Sequence, residues 1–125
     1  MLDDDAAVLK GITRLLLSAD WSVQAFTDPH QFLLYAKTHN TPVAILDIWM
    51  PAMNGLEVQS RLRDVSPSTR VIVFTGKDDQ LVRTTALKAG ASAFFIKPFD
   101  DEEFLTAVRT AHGNSGSQQE VTQLG

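Results

Sequence analysis

The sequence predicts an α/β fold in which a parallel sheet carries helices on both faces. Three short apolar runs, at residues 43–46, 71–74 and 93–96, are rich in the β-branched and aromatic residues of strands that are buried on both sides. Segments with helical spacing of apolar residues separate these runs, and strands that alternate with helices are typical of parallel sheets. The length of 125 residues suits one domain with its own core.

The first part of the chain has two helical segments, each followed by a strand. Apolar residues at helical spacing predict a first helix over residues 6–18, with an acidic triplet at residues 3–5 where the helix dipole favours negative charge. Residues 21–26 alternate apolar and polar side chains and predict a short strand. Asp28-Pro29 then predicts the start of a second helix, because Asp caps helices and Pro fits their first turn.

The second part continues the alternation. Apolar spacing predicts a third helix that ends near Asp64, a fourth over about residues 80–89, and a last one that begins at Asp100. Gly90 follows the fourth helix and is the preferred residue for a left-handed C-terminal cap. We expect residues 1–112 to form the domain, and residues 113–125, which begin with Gly, Asn and Ser, to form a flexible linker or C-terminal tail.

Composition excludes several classes of function. A net charge of −4 argues against a nucleic-acid surface on this part of the molecule. The absence of Cys excludes disulfides, thiol nucleophiles and thiolate metal sites. No apolar run approaches the roughly 18 residues that a membrane span needs, and the acidic N-terminus is unlike a signal peptide, so we expect no membrane contact.

Three consecutive predicted strands are each followed by a residue that carries chemistry. Asp47, Thr75 and Lys97 supply a carboxylate, a hydroxyl and an ammonium at the carboxyl edge of the sheet, where open α/β sheets bind ligands. The acidic triplet opens the first helix on the same edge. Asp47 alone is explained equally well as the cap of a turn, and helix capping explains the acidic triplet alone. Asn54-Gly55 supplies turn residues that tolerate positive φ.

Asp3, Asp4 and Asp47 in one pocket would repel one another. Two unit charges about 4 Å apart repel by roughly 4 kcal/mol at an effective dielectric of 20. Protonation of one group or a bound cation relieves this repulsion, and carboxylate oxygens without Cys or His favour Mg²⁺. An aspartate in that position is a candidate nucleophile for an acyl-phosphate intermediate, with the metal and Lys97 neutralising the transferred charge.

These motifs resemble the receiver domain of two-component response regulators. The resemblance covers Leu2 to about Ala111 and is carried by Asp3-Asp4, Leu46-Asp47-Ile48-Trp49-Met50-Pro51 with Asn54-Gly55, Thr75-Gly76 and Lys97-Pro98-Phe99. The segments of the fourth and fifth helices resemble, more weakly, receivers of LuxR-type regulators.

The resemblance implies a flavodoxin-like doubly wound sheet of order 2-1-3-4-5. It implies Asp47 as phosphoacceptor, Mg²⁺ held by Asp3, Asp4, Asp47 and the backbone carbonyl of Trp49, and a cytoplasmic protein phosphorylated by a sensor histidine kinase. Lys97 would bind the phosphoryl group and Thr75 would read it. Such a module accelerates its own phosphorylation and hydrolysis and is not an enzyme that acts on an outside substrate.

Three further residues are assigned with an alternative beside each. Phe94 falls at the aromatic switch position of the family. There it would pass the signal to the face formed by helix 4, helix 5 and the strand at residues 93–96, which is strand 5 in the family. Ordinary core packing explains Phe94 equally well. Trp49 and Lys77 flank the expected phosphoryl site and would lengthen the phosphorylated lifetime by screening it from water. The alternative is that both side chains lie in solvent.

The chain departs from the family at its start, because only Met1 and Leu2 remain of the expected first strand. Five buried apolar residues contribute about 10 kcal/mol, which is comparable to the about 5–15 kcal/mol that stabilises a whole domain. The sequence is therefore a fragment, or another segment or chain fills the gap, or the sheet pairs differently. We expect an incomplete gene product that is poorly stable alone; residues 121–124 form only a weak strand pattern.

Two other functions stay open at this point. One is a degenerate receiver that acts as an interaction domain without phosphorylation, which the missing strand favours. The other is a Mg²⁺-dependent phosphatase, although Trp49 stands where such enzymes usually have a second carboxylate. A homodimer through the last helices and a DNA-binding output domain outside this chain are also open.

Overall fold

A computed structural model describes residues 2–39, 41–48, 55–76, 79–96, 99–113 and 120–124. Within these ranges five helices alternate with five strands. In chain order they are α1 (Leu2–Ser18), β1 (Ser22–Phe26), α2 (Pro29–Thr38), β2 (Val43–Asp47), α3 (Gly55–Val65), β3 (Arg70–Thr75), α4 (Gln80–Lys88), β4 (Ala93–Ile96), α5 (Asp101–His112) and β5 (Glu120–Leu124). Every strand pair is parallel, and the sheet order is β1-β5-β2-β3-β4. The predicted doubly wound α/β fold is confirmed.

The helices form one layer on each face of the sheet. Side chains of α1 and α5 pack on one face, in a cluster that includes Leu16, Phe74 and Phe104. Side chains of α2, α3 and α4 pack on the other face, in a cluster that includes Phe32 and Leu62. The strands β2 and β3 are apolar on both faces because each face is covered by a helix layer, as their continuous apolar runs predicted.

The position between β1 and β2 is filled by β5, which decides one alternative that the sequence left open and corrects one expectation. β5 lies between β1 and β2, the place that the expected order 2-1-3-4-5 gives to the first strand. The gap predicted from the sequence is therefore filled by another segment of the chain. The prediction that residues 113–125 form a flexible tail is wrong for residues 120–124.

The physical reason is the cost of leaving that position empty. Without a strand between them, β1 and β2 would keep unpaired N–H and C=O groups on their facing edges. β5 pairs with both strands and buries Val121 and Leu124, one in the apolar cluster on each face of the sheet. These contacts outweigh the weak strand pattern of residues 121–124.

The helix α1 begins at Leu2 rather than at Ala6. Leu2 was expected to be the remnant of a first strand, and in the described part of the chain no strand precedes α1. Asp3 and Asp4 therefore belong to the first turn of α1, where the N-terminal end of the helix dipole stabilises acidic residues. None of the helices that the structure describes has the length and apolar character needed to cross a bilayer.

Three aspartates cap the N-termini of helices that follow a strand of the sheet, namely α2 after β1, α4 after β3 and α5 after β4. Asp28 accepts a hydrogen bond of 2.9 Å from the backbone N–H of His30 at the start of α2. Asp79 accepts from the N–H groups of Leu81 and Val82 at the start of α4, and Asp100 accepts from Glu103 in α5. Gly90 has φ of 101° just after α4, which confirms the predicted left-handed cap.

Candidate functional site at the carboxyl edge of the sheet

Asp47 is the last residue of β2 and is nearly buried. Its exposed fraction is 3%, and it stands opposite Phe74 in the parallel ladder between β2 and β3. The backbone N–H of Ile48 donates a hydrogen bond of 3.1 Å to the carbonyl oxygen of Phe74, so the ladder continues beyond Asp47. The N–H of Gly55 donates a bond of 2.9 Å to the carbonyl of Ile48. The backbone at Asp47 is therefore held from two sides, by β3 and by the first residue of α3.

Gly55 lies so close to this backbone that no larger residue fits. A Cβ atom built on Gly55 would lie 2.5 Å from the carbonyl oxygen of Asp47 and 2.7 Å from the Cα atom of Ile48. The interpretation of Gly55 as a positive-φ turn residue is wrong, because among the described glycines only Gly90 and Gly113 have positive φ. Glycine is needed here for close approach, and Asn54 lies outside the described residues.

Thr75 is the last residue of β3 and is completely buried. The register pairs Asp47 with Phe74, so Thr75 stands one residue further along the neighbouring strand. Ordinary strand spacing then separates the Cα atoms of Asp47 and Thr75 by about 6 Å. The structure thus brings together two of the three predicted strand-end residues. Lys97 directly follows Ile96, the partner of Thr75 in β4, and lies outside the described residues.

Asp47 points to the sheet face on which α1 packs. Side chains alternate along a strand, and Val43 and Ile45, which share the row of Asp47, belong to the apolar cluster of α1 and α5. Since α1 ends just before β1 begins at the amino edge, α1 starts toward the carboxyl edge, on the side of Asp47. This direction carries the backbone of Asp3 and Asp4 toward the site, while their side chains lie outside the described part of the chain.

Metal-ligating residues do not cluster elsewhere in the described chain. No group of three or more His, Asp or Glu side chains there is arranged to hold a metal ion. This statement does not cover the predicted Mg²⁺ ligands, because the side chains of Asp3 and Asp4 and the whole of Trp49 lie outside the described residues. Asp47, the one predicted ligand whose side chain is described, offers carboxylate oxygens of the kind that Mg²⁺ prefers.

Phe94 lies in β4 and is half-buried. Its ring packs against the apolar cluster of α2, α3 and α4, and the guanidinium carbon of Arg83 in α4 lies 5.8 Å from the ring centroid. Core packing therefore describes part of its environment, and the contact with Arg83 connects it to α4. Trp49 and Lys77, which were predicted to modulate the site, lie outside the described residues.

The sequence analysis missed a polar residue at the centre of the helix layer. Gln59 in α3 is fully buried, and its Nε2 donates a hydrogen bond of 3.1 Å to the carbonyl oxygen of Ala86 in α4. Leu56 and Leu62 lie three residues before and after it on the same helix face, so helical spacing could have identified Gln59 as buried. This bond ties α3, which begins beside Asp47, to α4.

Comparison with known proteins decides the family. The sequence profile of the response regulator receiver domain matches residues 1–109. The chain belongs to this family. The response regulator protein TodT of Pseudomonas putida is 40% identical over 111 residues, which cover 89% of this chain and 49% of TodT. The present receiver domain thus spans about half the length of that relative.

Solved structures agree with this assignment. A response regulator receiver protein from Burkholderia phymatum is 42% identical, with a TM-score of 0.75 and coverage of 88% of this chain and 90% of that one. A DNA-binding response regulator of the LuxR family from Staphylococcus aureus is 26% identical, with a TM-score of 0.62 and coverage of 69% and 72%. The predicted resemblance to receivers of two-component regulators, including those of the LuxR type, is confirmed. Receiver domains are signalling domains rather than classical enzymes.

Proposed function

We propose that this receiver domain accepts a phosphoryl group on Asp47 from a sensor histidine kinase and passes the change to an output face. The observation that carries the proposal is the placement of Asp47. Asp47 ends a buried strand, its backbone is held by β3 and by Gly55, and Thr75 lies at the end of the neighbouring strand. A rigid backbone at this point would orient the Asp47 carboxylate for in-line attack on a phosphorus atom.

In the proposed reaction a carboxylate oxygen of Asp47 forms a bond to the phosphorus, and the bond from phosphorus to the donor breaks. The donor is a phosphorylated histidine of the kinase, and its imidazole leaves with the electron pair of that bond. Transfer of this kind depends mainly on positioning and on neutralisation of charge. The ammonium of Lys97 would contact the phosphoryl oxygens, and the hydroxyl of Thr75 would donate a hydrogen bond to one of them.

A divalent cation, which we propose to be Mg²⁺, would be held by Asp3, Asp4, Asp47 and the backbone carbonyl of Trp49. When bound, it would neutralise charge on the carboxylates and on the incoming phosphoryl group. The described residues support this set in two ways. Asp47 faces the layer that contains α1, and α1 starts at the edge of the sheet where Asp47 lies.

The signal would leave the site through Thr75 and Phe94 toward α4, β4 and α5. Thr75 is buried at the end of β3, and Phe94 lies on the adjacent strand with its ring against Arg83 of α4. To move a two-state equilibrium from 1:99 to 99:1 takes about 5.5 kcal/mol of differential interaction. Charge-assisted hydrogen bonds from Thr75 and Lys97 to a new dianion are of the strength needed for much of this change.

Trp49 and Lys77 are proposed to lengthen the phosphorylated lifetime by screening the phosphoryl group from water. The test compares the first-order loss of phosphoryl mass from the Trp49→Asn variant with the loss from the wild-type chain. Faster loss from the variant supports the screening role, and equal rates refute it.

The remaining parts of the proposal concern the cellular setting. We propose a cytoplasmic domain that accelerates its own phosphorylation and hydrolysis and acts on no outside substrate. A DNA-binding output domain outside this chain and a homodimer are the partners that we propose, in line with the longer response regulators that this chain matches. A degenerate receiver is not favoured, since the chain matches the family over most of its length.

The deciding experiment incubates the chain with acetyl phosphate and Mg²⁺ and measures its intact mass. Wild type is expected to gain the mass of one phosphoryl group, and the gain should disappear with EDTA or in the Asp47→Asn variant. Asp79→Asn is the matched control, because it removes a half-buried carboxylate on the same edge while Asn caps α4 as well as Asp does. Equal phosphorylation of wild type and Asp47→Asn would refute the assignment, and rapid multiple turnover would indicate a phosphatase.

A further inference from the structure

The strand β5, which lies between β1 and β2, is chemically unlike the buried strands β2 and β3. In β2 and β3 the buried residues that precede Asp47 and Thr75 are all apolar, namely residues 43–46 in β2 and residues 71–74 in β3. β5 instead places Thr122 and Gln123 between β1 and β2, with exposed fractions of 1% and 0%. Two of its four described side chains are therefore polar although they are as buried as the apolar residues of β2.

Among the described residues, both polar side chains have an atom without a hydrogen-bond partner. Thr122 Oγ1 and Gln123 Nε2 are buried and form no hydrogen bond with any residue that the structure describes. Gln123 uses only its Oε1 atom, which accepts a bond of 3.1 Å from the hydroxyl of Thr13 in α1. A buried polar group without a partner loses its hydration and gains nothing in return. β5 therefore fits this position less well than an apolar strand of the same length would.

β5 is also attached in a way that permits exchange. Among the described residues it pairs with β1 at five positions and with β2 at three, Ala44 to Leu46. It is the last strand that the structure describes, and it lies beyond residue 109, where the match to the sequence profile of the receiver family ends. The six residues 114–119 that connect it to α5 are Asn, Ser, Gly, Ser, Gln and Gln, none of which is apolar. Detachment of β5 would therefore leave α5 and the other four strands connected as they are.

We propose that the position between β1 and β2 is a strand-acceptor site, which β5 occupies and from which an apolar peptide strand displaces it. The ligand is a segment of about five residues that is aliphatic at the four positions of residues 121–124 and pairs in parallel with both neighbours. The surroundings define this chemistry. The position of Gln123 faces the cluster with Ile12 and Ile45, and the position of Thr122 faces the cluster with Phe32. This inference does not depend on phosphorylation of Asp47.

The probe is a fluorescent peptide with the β5 sequence in which Val and Leu replace Thr122 and Gln123, preceded by lysines for solubility. Anisotropy should show that it binds the full chain at least ten-fold more tightly than a peptide with the native β5 sequence. Both peptides compete with the chain's own β5, which raises the apparent Kd of each peptide by the same factor. The ratio of the two apparent Kd values therefore measures how much better the apolar side chains fit the position between β1 and β2. Equal binding of the two peptides, or no binding of either, overturns the proposal.

The matched chain variant carries Thr122→Val and Gln123→Leu, so that its own β5 has the favoured chemistry. The apolar peptide should bind this variant at least ten-fold more weakly than it binds wild type, and equal binding to both chains overturns the proposal. A wild-type dimer that forms with rising concentration and resists the peptide would show instead that a second copy's β5 is the occupant, which also overturns it.

Hydrogen exchange on the wild-type chain tests the same proposal without any variant. If β5 detaches while the rest of the sheet stays folded, the amides of residues 121–124 should exchange at least ten-fold faster than those of residues 71–74 in β3. Equal protection of the two strands would mean that β5 leaves only when the whole domain unfolds. That result overturns the proposal.

Discussion

Gly55 offers the sharpest test of how the site is held. Replacement by Ala would place a Cβ atom 2.5 Å from the carbonyl oxygen of Asp47 and 2.7 Å from the Cα atom of Ile48. Both neighbours are backbone atoms of a buried strand end, so no side-chain rotation relieves the contact. Either α3 must move away from the sheet or the backbone at Asp47 must move with it.

The expected cost follows from this geometry. Overpacking of a buried position costs typically about 1–3 kcal/mol, and movement of α3 also weakens the bond of 2.9 Å from the N–H of Gly55 to the carbonyl of Ile48. We expect Gly55→Ala to lower the free energy of unfolding by about 2–3 kcal/mol. Urea unfolding followed by circular dichroism measures this value.

Gly11→Ala is the matched control, with the opposite expected sign. Gly11 lies in the exposed interior of α1, and nothing lies within 4 Å of a Cβ atom built there. Since Ala is favoured over Gly in helices by about 0.8–1.0 kcal/mol, this variant should be more stable than wild type. An unchanged urea midpoint for Gly55→Ala would refute the close approach of α3 to Asp47, and phosphorylation of the folded variant would report whether Asp47 itself moves.

Three further substitutions test other parts of the structure by the same urea measurement. Asp79→Ala should destabilise the domain by about 1 kcal/mol, because it removes the cap that accepts from Leu81 and Val82; a value equal to that of Asp79→Asn would contradict this. Gly90→Ala should cost about 1–2 kcal/mol, since φ is 101° there and no steric contact is involved. Thr122→Val should raise stability by about 1 kcal/mol, because it removes a buried hydroxyl without a partner among the described residues; a loss of stability would show that this hydroxyl is satisfied.

Most of the fold could be predicted because local and global signals agree. The apolar runs of β2, β3 and β4 have the composition of strands buried on both faces, and the helices that follow β3 and β4 begin with the capping residues Asp79 and Asp100. Each predicted strand end therefore fell near the observed one. The placement of Asp47 and Thr75 at one edge of the sheet followed from this alternation, because parallel strands end at the same edge, whereas the order of the strands was implied by the family resemblance.

The start of α1 was predicted four residues too late. The helical spacing of apolar residues begins only at Val8. The acidic residues before Val8 are compatible with both a loop and a helix start. Residues at the N-terminus of a helix are stabilised by the dipole rather than by burial. Periodicity therefore carries no information about the position of Asp3 and Asp4, and the structure was needed to place their backbone in α1.

The position of β5 could not be read from residues 121–124, and the reason is physical. With Thr and Gln in alternation with Val and Leu, this segment has little intrinsic strand signal, and its place is determined by what β1 and β2 lack. Two facing strand edges without a partner leave their backbone groups unsatisfied along their whole length, whereas Thr122 and Gln123 leave only two side-chain atoms unpaired among the described residues. The larger backbone penalty decides the outcome, so a segment with two buried polar side chains lies between β1 and β2. The same comparison explains why a strand that satisfies both the backbone and the apolar side-chain positions should replace it.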